Sequence, residues 1–140
     1  MSALLTAAEI QAKFDGSPFI AWLGLSVREV DHDQGELKVV APFRAEFERG
    51  AQSGQWHGGP LAAVIDTVGD FAVGMQLGRG LPTINFRVDY LRPAVDTSLT
   101  AVARVRRNGR SVGVADVDLY NDQGALIAIG RATYATLSQG

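Results

Sequence analysis

Apolar positions in the middle of the chain repeat at the spacing of a helix. Leu61, Ile65, Val68, Ala72 and Met75 fall three or four residues apart, which places them on one face. Pro60 suits the first helical turn, with Gly59 at or near the N-cap. Gly78, Gly80 and Pro82 close the run. Before Arg79 this segment carries two charges, Asp66 and Asp70. A helix of about five turns with so little charge has to be largely enclosed. Elsewhere the pattern is that of strands. Leu25, Val27 and Val30 precede the polar turn Asp31-His32-Asp33-Gln34-Gly35, and Leu37, Val39 and Val40 follow it, as in a hairpin. Thr83 to Leu91, Leu99 to Arg107, Val112 to Tyr120 and Ala125 to Leu137 read as four further strands in a meander. Asn108-Gly109 marks a two-residue hairpin between the second and third of them. Thr6 with Glu9 forms a capping box for a short helix from about Ala7 to Phe14. Phe19 to Leu25 is a second short helix or a turn, and Ala41 to Gln55 is mostly loop. The expected architecture is α+β: a curved antiparallel sheet around one long apolar helix.

At 140 residues the chain has room for one domain, taken as 1–140. Its composition, 46% hydrophobic and 20% charged, is that of a globular protein and excludes collagen-like, disordered and coiled-coil chains. The net charge of -2 argues against a nucleic-acid partner. Absence of cysteine excludes disulfides, thiolate ligands and a cysteine nucleophile. No apolar run approaches the ~20 residues of a membrane span, and the N-terminal stretch lacks a signal-peptide pattern. A cytoplasmic location is expected.

The chemically informative segment is Gly54 to Phe71. Gly58 and Gly59 stand at the mouth of the long helix, where bare backbone N–H groups and the helix dipole favour a ligand oxygen. That is what an oxyanion site requires, although two glycines also simply make a turn. Asp66 lies mid-helix, where aspartate has poor propensity and caps nothing. Small neighbours such as Ala62, Ala63 and Gly69 leave room beside it for a thin ligand. Asp70, four residues on, repels Asp66 and can raise one pKa; facing water, it would be irrelevant. His57 is an acid/base candidate or a cap on the loop. Asp31-His32-Asp33 has no further ligand nearby, so no metal site is expected. Serine-hydrolase and phosphate-loop motifs are missing. Arginine outnumbers lysine eleven to two, and Arg104, Arg106, Arg107 and Arg110 cluster at one hairpin, as an edge-protecting charge set or as phosphate contacts.

Together these residues resemble the hot-dog-fold acyl-CoA thioesterases of the phenylacetate-pathway type. The markers are Leu23-Gly24, Gly54-x-x-His57-Gly58-Gly59, Asp66 nine residues after the histidine, Tyr90-Leu91-Arg92-Pro93 and Asn108-Gly109-Arg110-Ser111. They span most of the chain. The resemblance implies that Gly58 gives its N–H to the thioester carbonyl, that Asp66 is the nucleophile or general base, and that Thr83 assists. It implies a homo-oligomer whose site lies at a dimer interface, with no cofactor beyond the coenzyme A of the substrate. Arg107 or Arg110 would meet the coenzyme A phosphates. Gly59 and Asp70 complete the candidate substrate contacts. Many members carry Asn or Gln where this chain has Ala51, and Gln52 or Gln55 stands in if the loop shifts. Two other readings share the fold: a non-catalytic acyl-CoA binder, favoured by Ala51, and an enoyl-CoA hydratase. Trp56, Phe47, Phe71 and Met75 serve as acyl pocket or as core.

Overall fold

The computed structural model describes residues 4–137; 1–3 and 138–140, within the domain expected over 1–140, lie outside the described residues. Helix α1 (Ala7–Gly16) starts with the expected capping box: the Thr6 hydroxyl accepts from the Glu9 N–H and the Glu9 carboxylate accepts from the Thr6 N–H. Pro18 opens the short α2 (Pro18–Leu23), and Gly24, at φ 74°, ends it in a conformation that other residues resist. The hairpin follows as β1 (Ser26–Asp31) and β2 (Glu36–Ala41). A single 3-10 turn, Ala45–Phe47, interrupts the expected loop. The long helix α3 runs Gly58–Gly74. Strands β3 (Thr83–Tyr90), β4 (Leu99–Asn108), β5 (Val112–Asn121) and β6 (Leu126–Ala135) complete the chain.

The six strands form one antiparallel sheet in the order β1-β2-β4-β5-β6-β3. This corrects the expected four-strand meander. Only β4, β5 and β6 meander; β4 pairs with β2, and β3 crosses to the far edge beside β6. A second correction concerns Asn108-Gly109. Asn108 pairs with Gly113 and Gly109 is not among the residues at positive φ, so the connection is wider than the two-residue turn, whose central residues need φ > 0.

The core lies between α3 and the concave sheet face. Ile65, Val68, Ala72 and Met75 are fully buried, as are Leu37, Val39, Leu99, Ala101, Ala103 and Leu119 opposite them. The alternation of β4 holds through Ala103 and then breaks at a bulge between Val105 and Arg107, so Val105 is only half-buried. Trp56, Phe47, Phe71 and Met75 are buried in this core. Phe47 and Trp56 rings stack at 5.2 Å, and Phe14 meets Phe71 edge-on at 5.0 Å. The helix approaches the sheet closely because Gly113 and Gly130 leave space: a Cβ at either would lie 2.6 Å from Val73 or Ile65 respectively.

Candidate active site

The N-terminus of α3 is built by its own cap and a pinned loop. The buried Trp56 donates its indole N–H to the Thr97 carbonyl at 2.9 Å. His57 donates its backbone N–H to the Phe47 carbonyl at 2.7 Å. His57, not Gly59, is the N-cap, and its Nδ1 accepts the Gly59 N–H at 2.9 Å. Of the two readings of His57 the structure shows the cap, and the expectation for Gly59 is corrected. The Gly59 amide is occupied and has nothing to give a substrate. The imidazole nitrogen facing the helix is an acceptor already in use, so His57 fixes the turn rather than moving a proton through that atom. The Gly58 N–H is left open, with no hydrogen-bond partner among the described residues. The Gly58 carbonyl accepts the Tyr90 hydroxyl at 2.7 Å, and a Cβ on residue 58 would sit 3.2 Å from the Tyr90 ring.

Two helical turns further, Asp66 Oδ1 accepts the Thr83 hydroxyl at 2.8 Å. The Asp66 backbone carbonyl accepts the Tyr134 hydroxyl at 2.6 Å. Burial pushes the Tyr134 hydroxyl up, and Asp66 and Asp70 nearby push it further, so it stays a donor. Gly69 makes room for it, since a Cβ there would lie 2.5 Å from the Tyr134 oxygen. Asp66 is half-buried, with its carboxylate at the first residue of β3.

The other candidates separate. Asp70 reaches into the loop after the helix, where it accepts the Leu81 N–H at 2.9 Å. Burial pushes its carboxyl up to about 7, against the pull of that N–H, and Asp66 adds to the rise. It anchors a loop and is not placed as a substrate contact. Arg107 and Arg110 are exposed on the β4–β5 hairpin, whose Asn108 reaches the carbonyl of Val73 at the far end of α3. Gln52 is exposed and sits at φ 63°. Gln55 lines a cleft with Gly58 without any shift of the loop, and Ala51 is exposed on the turn.

That cleft, about 380 Å³, opens at the helix N-terminus and is walled by Trp56, Leu61, Tyr90 and Pro93. Arg49 and Arg92 also line it. Arg49 was not singled out from the sequence, and Tyr90 and Arg92 entered only by their place in a motif, which does not show that they meet the helix mouth.

The thioesterase superfamily profile matches residues 53–128, from the loop before α3 into β6. The medium/long-chain acyl-CoA thioesterase YigI of Escherichia coli K12 is 32% identical over 160 residues, covering 96% of this chain and 98% of that protein. The acyl-coenzyme A thioesterase PaaI of the same bacterium is 35% identical over 111 residues, covering 78% of this chain and 75% of PaaI. The solved structure of E. coli PaaI, from the phenylacetic acid degradation operon, superposes with a TM-score of 0.79 at 29% identity, over 91% of this chain and 90% of that one. Zebra fish thioesterase superfamily member 2 superposes with a TM-score of 0.82 at 26% identity, over 94% and 99%.

Proposed function

The chain belongs to the thioesterase superfamily, and from that premise we propose that it hydrolyses an acyl-CoA thioester to the free acid and coenzyme A, at a site shared by two subunits. The observation that carries this reading is how β3 is tied to α3. One end of the strand holds Asp66 through Thr83, and the other holds Gly58 through Tyr90. Within one chain these two groups are eight residues apart on a helix, about 12 Å along its axis, too far to act on one carbonyl. Strand β3 is an edge strand. If it pairs antiparallel with its copy about a two-fold axis at mid-strand, the Thr83 end of one subunit meets the Tyr90 end of the other. Asp66 then faces the partner's Gly58, twice per dimer.

In that arrangement the thioester oxygen accepts the free Gly58 N–H, with the helix dipole behind it. The Asp66 carboxylate of the other subunit acts on the carbonyl carbon directly or through a water. In the water route, the new C–O bond forms as the proton passes to Asp66. The negative charge builds on the oxygen held by Gly58. Collapse of the tetrahedral adduct breaks the C–S bond, and the thiolate leaves to take up the proton. Thr83 holds the carboxylate in place, and Gln55 supplies an amide beside the carbonyl. The YigI and PaaI relatives are named as acyl-CoA thioesterases, which supports the substrate class.

The test is release of free thiol from a panel of acyl-CoA esters by wild type and Asp66→Asn. Asparagine keeps the shape and can still accept from Thr83. We expect the rate to fall on the order of 10²–10⁴-fold with the melting temperature retained. Full activity in the folded variant would remove Asp66 from the mechanism. Tight coenzyme A binding without any turnover by wild type would instead favour a binding protein.

A further inference from the structure

We infer that Tyr134 is a positioning residue for the Asp66 carboxylate, paired with Thr83 so that two hydroxyls from neighbouring strands clamp one turn of α3. The inference rests on the thioesterase reading for what the carboxylate does. It rests on the geometry of β3, β6 and α3 for the clamp itself. The Thr83 hydroxyl donates to Asp66 Oδ1 at 2.8 Å. The Tyr134 hydroxyl donates to the backbone carbonyl of the same residue at 2.6 Å. Side chain and main chain of Asp66 are thus tied to two different strands.

The two hydroxyls meet there because the sheet is broken at one point. Thr83 and Tyr134 stand opposite each other in the β3–β6 pairing. Further along β3 the even-numbered residues face the helix. Phe86 and Tyr90 pair with the buried Ala132 and Ala128, and Val88 pairs with Gly130, where a Cβ would meet Ile65. Strict alternation would send Thr83 to the other face with Asn85, Arg87 and Asp89. The register shifts between Thr83 and Asn85, where β3 advances two residues while β6 advances one, from Tyr134 to Thr133. Ile84 is the extra residue of this bulge, and the bulge turns Thr83 back to the helix side. Re-aiming a side chain is what a bulge of this kind does.

The Tyr134 hydroxyl is not needed by the carbonyl it meets. Asp66 lies in the interior of α3, where a carbonyl already has its helical partner. A phenylalanine would fill the same fully buried space with no polar atom to satisfy. The hydroxyl instead requires an acceptor, and it requires a glycine. A Cβ at position 69 would lie 2.5 Å from the Tyr134 oxygen, and glycine is disfavoured inside a helix. What the arrangement supplies is a fixed height and rotation of the Asp66 turn against β3. With no exposed surface, Tyr134 cannot touch a substrate, so any effect it has on the reaction passes through Asp66.

The experiment measures thiol release from one acyl-CoA ester by wild type, Tyr134→Phe, Asp66→Asn and the double variant. Tyr120→Phe on β5, whose hydroxyl meets Asp118, is the control and should match wild type. Tyr134→Phe keeps the buried ring and strands no polar group, so it should fold. We expect its kcat to fall by about tenfold to 10²-fold, the effect of misplacing a reacting group by ~1 Å, with KM largely kept. In the Asp66→Asn background the same change should cost no further rate, because the group it positions is gone. An equal loss in both backgrounds would be the mark of a generally loosened fold and overturns the inference. An unchanged kcat in folded Tyr134→Phe overturns it as well. Should Tyr134→Phe not fold, Gly69→Ala, which sets a methyl against the same hydroxyl, is read by the same two comparisons. If wild type turns over nothing, or Asp66→Asn keeps full activity, the reading of the site fails by itself. Crystal structures of wild type and Tyr134→Phe then decide the clamp: a lost Thr83–Asp66 contact in the variant supports it, and an unchanged one overturns it.

Discussion

Strands β1 and β3 are the two edges of the same sheet, and the chain treats them differently. At β1 the strand is short, bulged between Val27 and Glu29, and carries the exposed charges Arg28 and Glu29. Helix α1 lies against it, and Gln11 from that helix bonds the Val27 N–H at 2.8 Å and the Leu25 carbonyl at 3.0 Å. These are the devices by which proteins keep an edge from pairing. Strand β3 is longer, and its free edge has no such cover among the described residues. Its side chains include Ile84 at 52% exposure, Phe86 at 37% and Tyr90 at 53%. An apolar edge left open in a sheet whose other edge is closed is where the proposed pairing of two copies would form. Both halves of the candidate site are hung from that strand and neither from β1.

The largest effect should come from spoiling β3. Phe86 lies beside the strand midpoint, so antiparallel pairing brings the two copies of this position close together. Phe86→Asp then sets two carboxylates near one another, which is destabilising. The side chain is partly exposed in the single chain, so the subunit should still fold. We expect the mass in solution to fall to that of one chain and thioester hydrolysis to drop on the order of 10²-fold or more, since each Asp66 loses its opposite Gly58. Arg28→Asp on β1 should leave both unchanged. A Phe86→Asp protein that keeps its mass and its activity would show that the subunits join elsewhere.

This contrast between the edges is not visible in the sequence. Ile84, Phe86, Val88 and Tyr90 alternate like the residues of any half-buried strand. Whether such a strand ends up central or at an edge depends on a crossover, which no local pattern encodes. Periodicity did reveal α3, the hairpin and each of the last four strands, because burial on one face imposes it directly. The site was legible to the same extent. Gly58 stood out because a bare N–H at a helix mouth favours a ligand oxygen, and Asp66 because aspartate is disfavoured in mid-helix and caps nothing there. Tyr90 and Arg92 did not, since they meet the helix mouth across more than thirty residues. Gly59 was misread because its N–H is consumed two residues away by His57. Asp70 was misread because the loop that ends in Leu81 folds back over it.

Asp70 gives the next effect, at the entrance to β3. Its carboxyl titrates near 7 in the native chain and near the usual 3.9 when unfolded. Between about pH 4 and 7 the native state holds a proton that the unfolded state has released. Stability therefore falls as the pH rises through that window and levels off above 7. A proton held over about three pH units sets a ceiling of about 4 kcal/mol. Asp70→Asn keeps an acceptor for the Leu81 N–H and cannot ionise. The variant should show a flatter pH profile in denaturant unfolding and exceed wild type at pH 8. An unchanged slope would mean that the loop opens to water when Asp70 ionises. No comparable dependence is expected at β1, where the covering group is a neutral amide.

The smallest effect should come from uncovering β1. Gln11→Ala leaves the Val27 N–H and the Leu25 carbonyl without their side-chain partner. Both groups are only part-buried, so water can replace much of what is lost, and alanine suits a helix at least as well as glutamine. The net cost should be about 1 kcal/mol, read as a lower urea midpoint at an unchanged m-value. Mass and activity should hold in dilute solution, because the bulge and the charges of β1 remain. At high concentration the variant should scatter more light than wild type, as an edge with one protection removed begins to find partners. A larger species that is stable on dilution would mean that Gln11 alone kept β1 from pairing in the way proposed for β3. No change in midpoint or scattering would mean that the bulge and charges already suffice, and that the two edges differ by their own sequences rather than by the helix laid against one of them.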